Sequence, residues 1–294
     1  LGGFAGVGKS ALAEALRQPA NEQGSFFVAG KCEQYKRHTP YAAVIQAFQD
    51  LLRQLLTLPQ SQLAQWSQLL RDALGEQADI LCALLPELAL LLPAQHVSPP
   101  LPPQEAQHRL HRLLLTLAST FASPYHPLVI FLDDLQWADP ATLGLIEQLL
   151  ASPQARHILL LGAYRDNETG AGHPLANLQT ALLQQGVAVQ TLTVTPLGQE
   201  HISQWLADTL QCPVDSISAL ATLCQHKTRG NPFFLRQFLR SLYDRGLLFY
   251  HPAEARWCWQ QQALDNTAFT DNVVALMVDK LRSLPANTQA LLQL

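Results

Sequence analysis

The chain has 294 residues, a length that predicts two or three compact units rather than a single core. Hydrophobic residues make up 48% of it and charged residues 14%, and this composition excludes an intrinsically disordered chain, which combines low hydrophobicity with high net charge. The formal net charge of −4 argues against nucleic acid as the main partner, because a duplex binder presents a basic face.

Cysteine usage and hydropathy predict a cytoplasmic protein. The five cysteines are scattered and show no Cys-x-x-Cys pair or Cys/His zinc spacing, so we expect reduced thiols. The most apolar stretch, 80–94, is interrupted by Pro86, Glu87 and Pro93 and is too short to span a bilayer, so no membrane partner is expected. Because the chain starts at Leu1 rather than Met and ends inside an apolar helical pattern, we expect it to be part of a longer polypeptide.

The first third of the chain predicts one strand among helices. A Gly-rich turn at 2–8 leads into a helix over 9–17. The short apolar run 25–30, bounded by glycines, has the length and flanks of a strand. Apolar residues recur at helical spacing along 41–56, and further helix is predicted to about residue 92.

The middle of the chain predicts a parallel sheet. A stiff Pro-rich linker at 98–103 precedes a helix over 104–121. Residues 128–132 form a continuous apolar run, which is typical of a strand covered on both faces, and the runs 157–163 and 187–194 are interpreted in the same way. Since helices are predicted between these strands, the pattern favours βαβ units.

The last third of the chain becomes helical after Pro196 and then contains a cluster of aromatic residues that indicates a hairpin. The predicted elements are helices over 199–210, 215–227 and 232–245, a β-hairpin over 247–260 and a helix over 271–294.

The strongest motif is a phosphate loop, Gly-Phe-Ala-Gly-Val-Gly-Lys-Ser from Gly3 to Ser10, which fits G-x-x-x-x-G-K-[ST]. The glycines let the backbone wrap around a triphosphate with its N–H groups inward, and the following helix adds its positive dipole end. Lys9 would bridge β- and γ-phosphate oxygens and the Ser10 hydroxyl would bind Mg²⁺; the alternative is a Gly-rich turn with a solvated lysine. The residues assigned to this loop are Gly3, Gly6, Val7, Gly8, Lys9, Ser10 and Ala11.

Two acids, Asp133 and Asp134, follow the apolar run 128–132. An acid at the carboxyl end of a central strand is well placed to hold Mg²⁺, which prefers hard oxygen ligands, and we assign that role to Asp133. We assign Asp134 to orienting or activating the attacking water. The alternative is that one or both acids cap the turn, and Asp139 is expected to cap the next helix.

Taken together, four segments resemble the AAA+-related STAND class of signal-transduction ATPases, the origin-recognition-like AAA ATPase domain. The segments are the phosphate loop, Leu-Val-Ile-Phe-Leu-Asp-Asp-Leu-Gln-Trp-Ala-Asp at 128–139, the strand end at 160–168, and Thr-Arg-Gly-Asn-Pro-Phe-Phe at 228–234. Residues 30–37 and the Trp257-Cys-Trp259 hairpin are similar to the ATPase module of large bacterial multi-sensor kinases, where it lies between a serine/threonine-kinase-like domain and GAF or histidine-kinase domains.

The resemblance implies roles for two further positions. Arg165 stands where the family has a sensor near the γ-phosphate, and Pro232 matches the lid proline that lies against adenine. The alternatives are a surface arginine and a helix-breaking Gly-Asn-Pro. Many AAA+ hydrolases have Glu where this chain has the shorter Asp134, so we expect slow hydrolysis.

The base can be argued from the residues alone. GTPases recognise guanine with [N/T]-K-x-D, and the nearby candidate His-Lys-Thr-Arg at 226–229 does not fit that motif. ATP or ADP with Mg²⁺ is therefore the expected ligand.

These observations predict an α/β fold, with a P-loop NTPase parallel sheet sandwiched by helices, then a helical lid and a partial winged-helix-like unit. The predicted domains are 1–196, 197–245 and 246–294. The expected function is an ATP-dependent signalling switch whose partners are kinase or sensor domains of the same polypeptide, with nucleotide-dependent self-association as a further possibility. The alternatives are a DNA-acting AAA+ ATPase of the initiator or loader type and a nucleotide-binding scaffold that does not hydrolyse ATP.

A pair of histidines, His108 and His111, lies one helical turn apart, a spacing that could bind a metal. Because no third ligand is evident in the sequence, we interpret both as solvated residues on the exposed face of a helix.

Overall fold

The computed structural model describes residues 1–36, 39–92, 102–153, 156–170 and 172–260, together with 281, 285 and 287–289. Residues 98–101 of the predicted Pro-rich linker lie outside the described residues, and so does nearly all of the predicted helix over 271–294. The same holds for most of the predicted winged-helix-like unit, 246–294. The chain divides into a first unit, Leu1–Phe4 with Lys9–Thr193, and a second unit, Ala5–Gly8 with Val194–Leu294.

The first unit contains a three-stranded parallel sheet in the order β1-β2-β3. Its strands are β1 (Phe26–Lys31), β2 (Leu128–Asp133) and β3 (Ile158–Gly162). The register places Lys31 beside Asp133, so both residues lie at the carboxyl edge of the sheet. β2 is buried from Leu128 to Leu132, as expected for a continuous apolar run covered on both faces. The predicted α/β fold with a parallel sheet is therefore confirmed.

The chain start lies along the free side of β3. The Leu1 ammonium donates to Gly162 O at 2.6 Å, and Tyr164 N donates to Leu1 O at 3.0 Å. On its other side, Gly2 forms a single parallel bridge with Thr193. In place of the predicted strand over 187–194, the described residues form this one bridge.

Helices flank both faces of the sheet. On one face, α1 and α2 bring Ala13 and Ala20 against a small apolar cluster that includes Phe27 and Phe131. On the other face, a larger leucine-rich core joins the strands to the remaining helices. The helices of the first unit are α1 (Lys9–Glu14), α2 (Arg17–Glu22), α3 (Ala42–Leu56), α4 (Gln60–Leu74), α5 (Ala78–Leu84), α6 (Pro86–Leu91), α7 (Pro103–Phe121), α8 (Pro140–Ala151) and α9 (Pro174–Gln184).

The helix that follows the phosphate loop is broken, which differs from the single helix predicted over 9–17. α1 ends at Glu14 and α2 starts at Arg17. Pro19 explains the break, because a proline has no N–H to donate to the carbonyl of Ala15 and its ring crowds that carbonyl. α8 begins as expected, since Asp139 accepts a hydrogen bond from Thr142 N at 2.9 Å.

In the described part of the second unit, three helices and a hairpin pack around their own apolar core. Its elements are α10 (Gln199–Leu210), α11 (Ser218–Thr228), α12 (Pro232–Asp244), β4 (Leu248–His251) and β5 (Arg256–Trp259). α11 starts three residues later than predicted, because residues 214–217 form a 3₁₀ turn. β4 and β5 pair antiparallel, which confirms the predicted hairpin. Within the described part of the chain, no helix combines the length and apolarity needed to cross a membrane.

Candidate nucleotide-binding site

Three glycines of the phosphate loop adopt backbone conformations that other residues avoid. Gly3, Gly6 and Gly8 have φ values of 149°, 76° and 105°, all in the region where a Cβ is strained. Val7 is buried, whereas Ala11 lies exposed in the first turn of α1. The predicted motif therefore forms a tight loop that leads directly into a helix.

Lys9 points back over this loop and is only 7% exposed. Its ammonium donates to Gly3 O at 2.7 Å and to Phe4 O at 2.9 Å. Burial lowers the pKa of Lys9, and the nearby carboxylates of Asp133 and Asp134 oppose that shift. This geometry does not fit the alternative of a solvated lysine.

Ser10 and Asp133 meet at the carboxyl edge of the sheet. The Ser10 hydroxyl donates to Asp133 Oδ2 at 2.7 Å, although the two residues are 123 positions apart. A hydroxyl beside a carboxylate is a hard-oxygen donor set of the kind that Mg²⁺ prefers. The residues present thus fit a magnesium ion that would be held by Ser10 and Asp133.

Asp134 leaves the strand in a left-handed conformation, with φ 54° and ψ 42°. Its backbone N–H donates to Asp133 Oδ1 at 2.9 Å, and neighbouring side chains hold its carboxylate. Gln136 Nε2 donates to Oδ1 at 2.9 Å, and Lys31 Nζ lies 3.2 Å from Oδ2. Asp134 is only 8% exposed, so these contacts orient a largely buried carboxylate.

Arg165 belongs to the same cluster. Its Nε lies 3.5 Å from Asp134 Oδ1, and Nη1 donates to Glu168 Oε1 at 2.7 Å. The guanidinium stacks over the Trp137 ring, 4.5 Å from the ring centroid. These contacts place Arg165 in the acidic cluster and do not fit the alternative of a free surface arginine.

Sequence reasoning missed Lys31 and Gln136. Gln136 is 2% exposed and bridges two of the predicted residues, because its Oε1 also accepts from Arg165 N at 3.2 Å. Lys31 could have been found from the order of the strands, since the last residue of β1 must lie beside Asp133. For Gln136 the sequence carries no such signal.

The Gly230-Asn231-Pro232 motif lies in the second unit with Ala5–Gly8 of the loop. Asn231 caps α12 and also donates from Nδ2 to Ala5 O at 2.9 Å. Pro232, the predicted adenine contact, is half-buried at the first position of α12. The structure therefore brings this motif to the phosphate loop.

The histidine prediction was wrong for His111. This side chain is 5% exposed and lies between Tyr41, whose hydroxyl is 2.7 Å from Nε2, and Gln148, whose Oε1 is 3.0 Å from Nδ1. His108 is exposed, as predicted. Among the described residues, no group of three or more His, Cys, Asp or Glu side chains could hold a metal ion.

Comparison with known proteins identifies a family. The model of the AAA ATPase domain family matches residues 1–161, just over half of the 294-residue chain. Hybrid signal transduction histidine kinase G of Dictyostelium discoideum is 25% identical over 355 aligned residues, which cover 99% of this chain and 10% of that protein.

Peroxide stress-activated histidine kinase mak2 of Schizosaccharomyces pombe is 24% identical over 286 aligned residues. These cover 90% of this chain and 12% of that kinase. The chain therefore spans about a tenth of the length of the curated relatives it matches, and both relatives are large eukaryotic histidine kinases.

Proposed function

This chain belongs to the AAA ATPase domain family, and on that premise we propose that it binds ATP or ADP with Mg²⁺ as a switch module of a larger signalling protein. One observation carries the proposal: Ser10 donates to Asp133 at 2.7 Å while Lys9 lies buried over the loop. The hydroxyl and the carboxylate are hard-oxygen groups of the kind that Mg²⁺ prefers, and the neighbouring ammonium supplies the positive charge that phosphates favour, which supports a magnesium–triphosphate site.

Each residue of the proposed site has a distinct role. The N–H groups of Gly6 and Gly8 surround the phosphates, and Lys9 supplies positive charge to the β- and γ-phosphates. Bound Mg²⁺, held by Ser10 and Asp133, would neutralise phosphate charge and polarise the terminal phosphoryl group. We assign Pro232 to the adenine ring on the basis of its family resemblance and its place beside Asn231.

Hydrolysis by this site is proposed to be slow. Asp134 would orient the attacking water, yet its carboxylate is already engaged by Lys31 and Gln136, and Arg165 lies close to it. A carboxylate engaged in this way is less free to orient a water molecule, and Asp is also one methylene shorter than Glu. Arg165 is placed to sense the γ-phosphate, so that ATP and ADP would favour different conformations.

The signalling context is supported by the two histidine kinases that this chain resembles along most of its length. We propose that the chain is a STAND-class module and that kinase or sensor domains in the same polypeptide respond to its nucleotide state. The narrower resemblance to bacterial multi-sensor kinases stays a prediction, and so does nucleotide-dependent self-association.

Equilibrium binding of a fluorescent ATP analogue tests the nucleotide site. Lys9→Ala is expected to weaken binding roughly 10- to 100-fold, since hydrogen bonds to charged groups contribute about 1.5–3 kcal/mol. Lys227→Ala, on α11, removes the same charge and is expected to leave binding unchanged. Equal affinity of the Lys9→Ala variant and the unaltered chain would disprove the site assignment.

Phosphate release separates a slow ATPase from a non-hydrolysing scaffold. We expect the unaltered chain to release phosphate from Mg²⁺–ATP above the level of Asp134→Asn, because the amide cannot accept a proton from water. Equal release from the two proteins, with ATP binding intact in both, would favour the scaffold.

A further inference from the structure

The start of α12 donates two hydrogen bonds to backbone carbonyls of the phosphate loop. Asn231 Nδ2 donates to Ala5 O at 2.9 Å, and Phe233 N donates to Gly6 O at 3.2 Å. All of these residues belong to the second unit. Two consecutive carbonyls of the loop are therefore turned towards the same helix end.

This arrangement fixes the direction of the peptide N–H groups that follow. In a trans peptide the carbonyl and the N–H point in opposite directions within one plane. Because Ala5 O points to Asn231, the N–H of Gly6 points away from α12, and because Gly6 O points to Phe233 N, the N–H of Val7 does so too. These are the groups that a loop of this kind offers to an anion.

Asn231 makes contacts on both sides of its amide. Its Oδ1 accepts from Phe233 N at 3.1 Å and from Phe234 N at 3.4 Å, which caps α12, while its Nδ2 donates to Ala5 O. The residue is only 8% exposed, so water contributes little to these contacts. An aspartate would cap the helix equally well, but it has no N–H to donate.

Gly6 allows the loop and α12 to approach this closely. A Cβ on Gly6 would lie 2.8 Å from Phe233 Cβ and 2.9 Å from Asn231 Oδ1, both too close. The Gly6 backbone also has a φ of 76°, which disfavours a side chain. The contact between Asn231 and the loop thus depends on a glycine at this position.

We propose that Asn231 is a positioning residue of the nucleotide site, one that orients the peptide groups of the phosphate loop through the carbonyl of Ala5. The inference rests on the proposed nucleotide function and adds a link between phosphate affinity and α12. Loss of the Nδ2 donor frees the Ala5–Gly6 peptide to rotate and weakens binding of phosphate groups, whereas recognition of the base is unaffected.

Asn231→Asp tests this link, because it keeps the helix cap and removes the donor. ATP affinity, measured by calorimetry, is expected to fall roughly 5- to 50-fold, since one hydrogen bond is lost and a carboxylate is placed near the phosphates. Adenosine affinity, measured by ligand-observed NMR, is expected to change less than twofold, a difference that a general loss of structure would not produce.

Asn21→Asp is the matched control. Asn21 is exposed on α2, beside the start of β1 and therefore at the opposite end of the sheet from Asp133. This variant makes the same chemical change and is expected to bind ATP with unaltered affinity. Asn231→Ser, which also lacks the amide, is expected to reproduce the loss and serves as the second variant if Asn231→Asp does not fold.

The outcomes separate this inference from the function on which it rests. If the unaltered chain does not bind ATP, the proposed nucleotide function is overturned. If the unaltered chain binds ATP and both Asn231 variants bind it equally well, only the positioning role is overturned. Equal losses for ATP and adenosine would likewise contradict it, because a positioning role acts on the phosphates alone.

Discussion

At the scale of single residues, burial of polar groups is what distinguishes the candidate site. Lys9, Asp134 and Gln136 are all nearly inaccessible to solvent, and each is satisfied by a named partner within the first unit. A buried charge is tolerated when it is paired or hydrogen-bonded. The cost of burying these groups therefore favours a functional role over a structural one, since apolar residues would pack the same space more stably.

The buried His111 predicts a pH dependence of stability. Burial lowers the pKa of His111 below its ordinary value of 6.5, and the hydrogen bond with Gln148 opposes this shift. The folded chain therefore favours the neutral ring, and the unfolded chain takes up the proton first as the pH falls. The stability contributed above pH 6.5 is lost progressively below it, until the folded chain is protonated as well.

Denaturant unfolding between pH 7.5 and 5 measures the free energy of unfolding of two variants, His111→Gln and His108→Gln. His108 is the exposed neighbour of His111 on α7. His111→Gln is expected to cost about 1 kcal/mol at pH 7.5 through its lost hydrogen bonds and to flatten the decline of stability below pH 6.5. His108→Gln is expected to retain the decline. An unchanged pH profile in His111→Gln would show that the ring does not titrate differently on unfolding.

At the scale of elements, sequence patterns predicted the regular parts of the fold well. The run at 128–132 became the buried central strand, and the helix over 199–210 has the predicted bounds. The patterns failed where a distant partner decides the outcome. The apolar run 187–194 forms only one bridge because strand formation needs a paired neighbour, and hydrophobicity does not reveal one.

In the candidate site, too, local sequence signals predicted some residues, whereas contacts with distant residues were not predictable. Lys9, Ser10 and Asp133 were predictable because the spacing of the motif and an acidic strand end are local signals. Gln136 and the Asn231 contact with Ala5 were not, because hydrogen-bond partners 29 and 226 residues apart follow from tertiary packing alone. The prediction that His111 is solvated was wrong for the same reason, since no residue near it in the sequence indicates that Tyr41 packs against it.

Substitution by alanine is expected to change the free energy of unfolding in opposite directions at two glycines, Gly30 in β1 and Gly144 in α8. A Cβ on Gly30 would overlap the carbonyl oxygen of Ala43 and lie 2.7 Å from its carbon, whereas a Cβ on Gly144 meets nothing within 4 Å. Gly30→Ala is expected to destabilise the chain by about 1–3 kcal/mol, because backbone atoms must move apart. Gly144→Ala, inside α8, is expected to stabilise it by about 1 kcal/mol.

Chemical denaturation of the two variants beside the unaltered chain gives both values. Equal stability of Gly30→Ala and the unaltered chain would mean that α3 shifts away from β1 at little cost. Destabilisation by Gly144→Ala would mean that this stretch of α8 does not adopt regular helical geometry. Both variants make the same chemical change, so the difference between their free energies of unfolding reports how closely α3 packs against β1 at Gly30.

At the scale of the whole molecule, the phosphate loop is shared between the two units. Gly3, Phe4, Lys9 and Ser10 cluster with the first unit, whereas Ala5–Gly8 cluster with the second. In the curated relatives, about nine tenths of the polypeptide lies outside the aligned region.

The proposed nucleotide site predicts that Mg²⁺–ATP slows local opening of the segments that carry its residues. A ligand at 100 times its dissociation constant contributes about 2.7 kcal/mol against each opening that breaks its site. Hydrogen exchange with mass spectrometry follows β2, which ends at Asp133, and α12, whose start carries the Asn231 contact with Ala5. Mg²⁺–ATP is expected to slow exchange in both segments of the unaltered chain and in neither segment of Lys9→Ala. Unchanged exchange in β2 would contradict the assignment of Asp133 to the site, and unchanged exchange in α12 would contradict the link from Asn231 to the loop.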